Sequence, residues 1–127
     1  LVLYNKASSI EENDKTLSGI GLVLMEQGSH AEAFEYFARA LDRNPENMVA
    51  MNCLVREGYN LSCLERVTPY LSACLEVNPS DEAVRVTLAG CLISLGRRDE
   101  ARGYLESVLG SNPANVSAKE LFDSMAA

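Results

Sequence analysis

Apolar residues near the start of the chain recur at helical intervals. Leu17, Ile20, Gly21 and Leu24 lie three or four residues apart, Gly28 interrupts them, and Ala33, Phe37, Ala40 and Leu41 form a second stripe. Such spacings place side chains on one face of an α-helix, so the segment predicts two amphipathic helices with a break at Gly28. Glycine can take the positive φ that closes a helix. The Ser29-x-x-Glu32 that follows predicts a capping box, in which the two side chains satisfy free backbone N–H groups of the next helix.

The pattern then returns. NPEN, NPSD and NPAN carry Pro45, Pro79 and Pro113, each 34 residues from the next. Aligned on these prolines, Leu41, Leu75 and Leu109 share a column, as do Ala40, Cys74 and Val108, and Phe37, Leu71 and Leu105. Tyr36, Tyr70 and Tyr104 precede the last set; Ile20, Leu54 and Leu88 recur further back, followed by Leu24, Gly58 and Leu92. Gly28 and Gly96 mark a break inside the first and third units, and Ser62 stands in that column of the second. Ser62-x-x-Glu65 predicts another capping box. Proline lacks an N–H and disfavours helix in the preceding residue, so each Asn-Pro ends a second helix.

A fixed period of this length marks a repeat architecture, in which no helix pair buries both its faces alone and stacked pairs share a core. The columns resemble the tetratricopeptide repeat family, a 34-residue helix–turn–helix unit. Its small–small helix contact matches Gly21 with Ala33 and Ala89 with Ala101; its closing proline matches Pro45, Pro79 and Pro113. The resemblance implies an all-α, right-handed α-solenoid with repeats at 14–47, 48–81 and 82–115. Residues 1–13 then resemble the second helix and exit turn of an earlier repeat, and 116–127 a capping helix with Leu121, Phe122 and Met125 facing the stack. A chain that opens inside a unit is expected to be a fragment of a longer one.

Repeat two departs from the pattern. Val55 and Val67 replace the small pair, Gly58 replaces a large apolar residue, and Pro69 falls in the second helix. Gly58 predicts open space, and Pro69 a kink or a helix start delayed to Thr68. These changes read either as drift with compensating volumes or as a bend or pocket.

In this family the first helices line a concave groove that holds a peptide or helix. Column by column, the resemblance assigns the groove to Lys15, Ser18, Leu22, Met25 and Glu26, then Val49, Asn52, Arg56, Tyr59 and Asn60, then Ala83, Val86, Gly90, Ile93 and Ser94. Asn52, Arg56 and Asn60 form an i, i+4, i+8 row suited to a peptide backbone or carboxylate, with Arg56 as anchor. Leu22, Met25, Tyr59, Val86 and Ile93 suit apolar side chains. The family's carboxylate clamp for acidic chaperone tails needs Lys, Asn and Arg at set columns. Those columns hold Ser18 and Leu22, Asn52 and Arg56, and Ala83 and Thr87; only the middle repeat fits, so clamp binding is not expected. The competing reading of the apolar groove is that a neighbouring helix or a second copy covers it.

Composition narrows the partners. The formal net charge is −7, which disfavours nucleic acid and anionic lipid, since phosphate contacts need a basic surface. No apolar run reaches the ~20 residues of a membrane helix. Cys53, Cys63, Cys74 and Cys91 form no Cys-x-x-Cys pair and His30 is the single histidine, so no zinc site or other cofactor is expected. The cysteines read as reduced structural thiols, Cys63 the most exposed, which points to a cytoplasmic setting. Gly19-Ile-Gly21 lies on a helix without the rest of a dinucleotide loop. His30 stands at a turn with no evident acid partner, and the Asn60 and Asn115 sequons read as turn and capping residues. No catalytic constellation emerges. The expectation is a non-enzymatic protein-interaction module. Two alternatives are an accessory, substrate-positioning region of a larger bacterial-type enzyme, such as a glycosyltransferase or methyltransferase, and self-association through open solenoid ends.

Overall fold

The computed structural model describes residues 13–126. Among them are seven α-helices and no strand: α1 Asp14–Glu26, α2 His30–Arg43, α3 Met48–Asn60, α4 Leu64–Val77, α5 Glu82–Ser94, α6 Arg98–Ser111 and α7 Val116–Ala126. The expectation that residues 1–13 close an earlier repeat falls, apart from Asn13, outside the described residues. The chain divides into two compact units, one ending at Tyr70 and one beginning at Leu71, so the division falls within α4. In the first, α2 packs against α1 and α3; in the second, α6 packs against α5 and α7.

The helical stripes become the cores of these units. Leu17, Ile20, Leu24, Ala33, Phe37, Ala40, Leu41 and Leu54 are buried in the first unit, joined by Phe34 and Ala38. Leu71, Cys74, Leu88, Ala89, Leu92, Ala101, Leu105 and Val108 are buried in the second, with Ala118 and Met125 of α7. Leu121 and Phe122 are half-buried.

The breaks inside the helix pairs are made by the backbone. Gly28 and Gly96 have φ of 81° and 80°, and Ser62 takes the same left-handed region at 54°. The next N–H then reaches back five residues: Ser29 to Leu24 O at 2.9 Å, Cys63 to Gly58 O at 2.9 Å, Arg97 to Leu92 O at 2.8 Å. This is the helix-ending arrangement that a left-handed residue permits. It also removes the expected capping boxes. The Ser29 N–H that Glu32 would have to satisfy is already donated to Leu24, and the Ser29 side chain makes no cap bond. In the second unit of the sequence pattern, Ser62 is the left-handed residue and its N–H goes to Tyr59 O at 3.3 Å.

Side-chain caps instead stand at the other turn, thirty-four residues apart. Asn13, Asn47, Asp81 and Asn115 accept from Thr16, Ala50, Val84 and Ala118 N–H groups at 2.8 to 3.1 Å. The last residue of each NPxN or NPxD turn thus starts the following helix, a stabilising role typical of Asn and Asp. In two repeats the turn is also braced. Asn44 and Asn47 both donate to the Asp14 carboxylate at 3.2 and 2.9 Å, and Asn112 and Asn115 both donate to Glu82 at 2.9 and 3.0 Å. The same column holds Met48 in repeat two, which offers no acceptor.

At Gly58 repeat two shows compensating volumes rather than a pocket. Gly58 leaves no opening, because a Cβ there would lie 2.5 Å from Val67 Cγ2, and Val67 is fully buried. The pair Gly58–Val67 therefore exchanges volume with Leu24–Ala33 and Leu92–Ala101 of the flanking repeats. Pro69 does not delay the helix: α4 starts at Leu64 and runs through it. The carbonyl that an N–H at position 69 would have bonded belongs to Glu65, and the Thr68 hydroxyl donates to it at 3.4 Å. At that length the hydroxyl makes a weak contact to the carbonyl left without its amide.

Two measurements test these contacts. Gly58→Leu alone should lose about 1–3 kcal/mol in urea unfolding through overpacking. Gly58→Leu with Val67→Ala should recover most of it, a coupling of about 0.5–3 kcal/mol. Hydrogen bonds from Asn115 and Asn112 hold the Glu82 carboxyl below its usual range, because they favour the ionised form. A depressed folded value means that the stabilisation is complete above the unfolded glutamate value of about 4.3 and is lost as pH falls through the lower folded value. Glu82→Gln should therefore flatten the acid limb of the urea midpoint plotted against pH.

Candidate peptide-binding face

The site is built from the first helices of the pairs, because their outer faces are not used in packing against the second helices. In the first unit, Lys15, Leu22 and Glu26 are exposed on α1 and Met25 is half-buried; Val49, Asn52, Arg56, Tyr59 and Asn60 are exposed on α3. Leu22, Val49 and Tyr59 retain 36%, 53% and 48% of their accessible surface, large values for apolar side chains on consecutive first helices. In the second unit, Val86, Gly90 and Ile93 are half-buried on α5, with Ala83 and Ser94 exposed.

The structure gathers four of these residues around one depression. Lys15, Ser18, Leu22 and Val49 line a cavity of about 470 Å³ between α1 and the turn entering α3, together with Gly19 and Asn47. Ser18 is not an open contact: it is 5% exposed, donates to Asp14 O at 2.8 Å and accepts from Asn47 Nδ2 at 3.0 Å. Its hydroxyl fixes the depression's wall. Met25 and Tyr59 lie outside this depression.

The Asn52–Arg56–Asn60 row is divided in its chemistry. Asn60 Nδ2 donates to Glu57 Oε2 at 3.2 Å, so the amide is turned towards its own helix. Arg56 and Asn52 make no hydrogen bond or ion pair with the described residues. An exposed guanidinium without a partner, flanked by Val49 and Tyr59, can pair bidentately with a carboxylate or donate to a peptide carbonyl.

The acid partner that the sequence did not reveal for His30 is Glu57. Both Glu57 oxygens lie 2.9 Å from His30 Nδ1, and the Glu57 side chain is completely buried while that of His30 is 43% exposed. The imidazole, with Asn60, satisfies a carboxylate that water cannot reach. One signal was present: Glu57 occupies a column that otherwise holds Val23 and Cys91, and a charge in an apolar column demands a partner. The cysteines are free, with Cys53, Cys74 and Cys91 buried and Cys63 half-buried; burial pushes the Cys53 and Cys63 thiols up, which disfavours the reactive thiolate. Among the described residues, no group of three or more His, Cys, Asp or Glu is placed to hold a metal ion, and no helix is long and apolar enough to cross a membrane.

Comparison with known proteins places this geometry. Two family models described as tetratricopeptide repeat match residues 15–47 and 64–122. The chain is 32% identical over 117 residues to the Protein CTR9 homolog of Arabidopsis thaliana, covering 91% of this chain and 11% of that protein. It spans about a tenth to a fifth of the length of the curated relatives it matches. Among solved structures, YrrB, described as a TPR protein with an unusual peptide-binding site, is 25% identical with a TM-score of 0.71, over 95% of this chain and 63% of that one. The first TPR of Spaghetti (RPAP3), bound to the HSP90 peptide SRMEEVD, is 19% identical with a TM-score of 0.70, over 89% of this chain and 90% of that one. The fold is that of an α-helical repeat solenoid.

His30→Ala should destabilise the first unit by about 1–3 kcal/mol in urea unfolding, since it strips a donor from a buried carboxylate. Adding Glu57→Val, the residue of repeat one in that column, should return the midpoint close to the starting value.

Proposed function

The chain belongs to the tetratricopeptide repeat family, and on that premise we propose that it is a protein-interaction scaffold whose first-helix face receives a peptide or helix of another protein. The observation that carries this reading is the combination on α1 and α3 of exposed Leu22, Val49 and Tyr59 with the unpartnered guanidinium of Arg56. Apolar anchors next to one charged donor are the composition of a binding hot spot. YrrB, with its peptide-binding site, supports the same use of the fold. The partner takes apolar side chains at Leu22, Val49 and Tyr59 and places a carboxylate or backbone carbonyl at Arg56. The clamp columns carry Ser18 and Leu22 in repeat one and Ala83 and Thr87 in repeat three, so the HSP90 peptide SRMEEVD is not the expected ligand.

A photo-crosslinking amino acid at Val49, with one at Glu106 on α6 as control, tests the face in a lysate of the source cells. A polypeptide adduct specific to position 49 is expected, and Arg56→Ala should weaken that partner about tenfold, the loss of about 1.4 kcal/mol from a charge-assisted contact. Adducts only to a second copy of the chain would replace this reading with self-association, and equal labelling at both positions would refute it.

A further inference from the structure

The second unit carries a cavity away from the first-helix face. It lies between the C-terminal half of α4 and α6, has a volume of about 690 Å³, and includes Leu75, Glu76, Arg85, Gly103, Tyr104 and Ser107 in its lining. Arg85 is its unusual member. The same column holds Leu17 and Met51, which are 0% and 2% exposed. The arginine that replaces them is half-buried, and its Nη1 donates to Ser107 Oγ at 2.7 Å. That bond orients the guanidinium and leaves most of its five N–H donors without a partner among the described residues. Glu76 of α4 lines the same cavity and makes no hydrogen bond or ion pair with the described residues either. The two opposite charges share one space without pairing.

Gly103 borders this space. A Cβ at that position would meet no atom within 4 Å, whereas its column carries Glu35 and Pro69 in the other repeats. Half-buried Leu75 and Tyr104 supply apolar lining. The other carboxylate of the lining, Glu100, is held by Arg97 at 2.7 Å; outside the lining, Glu82 lies one turn before Arg85 on α5 and interacts with it through charge, while its Oε1 accepts from Asn112 and Asn115 rather than from Arg85.

A cation and an anion left unpaired in one cavity are matched by a ligand that bears both charges, and the apolar lining adds a third requirement. We propose that this cavity docks a segment of a partner polypeptide in which a large apolar side chain lies within a few residues of one acidic and one basic residue. The acid pairs with Arg85, the geometry for which guanidinium is suited, the base pairs with Glu76, and the apolar side chain packs on Leu75 and Tyr104.

Selection of a phage-displayed random heptapeptide library on the immobilised chain tests this, followed by titration of a synthetic peptide of the recovered sequence. The expected sequences combine an acid, a base and a large apolar residue. Gly103→Leu, which fills the cavity and improves helix propensity, should weaken the peptide at least tenfold. Arg85→Met, the residue of repeat two, should abolish discrimination between the peptide and its Asp→Asn or Glu→Gln version. Arg56→Ala should leave affinity unchanged. Circular dichroism melts check that each variant is folded. No enrichment, sequences lacking the paired charges, or binding that survives Gly103→Leu would each overturn the proposal; peptides lost with Arg56→Ala alone belong to the first-helix face and overturn it as well.

Discussion

Two helices joined by a tight break can pack closely only where one of them gives up volume at the contact. Each repeat meets this constraint with different residues. Gly21 lies beneath Phe37, whose ring atoms would be 2.7 to 2.9 Å from any Cβ. Gly58 admits Val67, and the same two columns carry Leu24 with Ala33 and Leu92 with Ala101 in the flanking repeats. Interiors at crystal-like density leave no slack for two large side chains in one place. What recurs among these repeats is a larger side chain set against a smaller one, and which helix supplies the smaller changes in repeat two.

The turns divide the labour that follows from this packing. Inside a pair the chain reverses by backbone geometry alone, through a left-handed residue and a long-range N–H to carbonyl bond. Between pairs it reverses through side chains, with Asn or Asp capping the next helix and, in two repeats, a carboxylate gathering both turn asparagines. The inner turn therefore demands little of sequence beyond one tolerant position, which even Ser62 can fill. The outer turn is chemically specific, and its fixed wording in the sequence reflects that. Fixing this second turn also fixes where the first helices begin, and so the spacing of Lys15, Leu22 and Val49 around their shared depression.

Most of this order was legible in the sequence because periodicity is a property of faces. The columns of Ile20, Phe37 and Ala40 identified buried positions without any knowledge of neighbours. Pairwise compensation was harder to read. Gly58 taken alone signals a gap, and only its partner Val67 shows that the gap is filled. Pro69 taken alone signals a helix start, yet α4 runs through it, with the Thr68 hydroxyl near the carbonyl that lost its amide. Ser29 and Glu32 have the spelling of a capping box, yet the Ser29 N–H is engaged elsewhere, a competition that no local motif records. In the candidate face, exposure followed the columns at Arg56, Val49 and Tyr59, whereas the inward roles of Ser18 and Asn60 came from partners 29 and 3 residues away.

Glu57 has a consequence for how the first unit assembles. Neighbouring repeats are alike in outline, so α3 could in principle lie against α2 in more than one alignment. A slip of one helical turn, about 5.4 Å, would carry the carboxylate away from His30 and strand a charge in an apolar wall. The His30–Glu57 contact at 2.9 Å thus serves as an index mark between two otherwise similar surfaces, selecting one alignment out of several that hydrophobic burial alone would leave nearly equal.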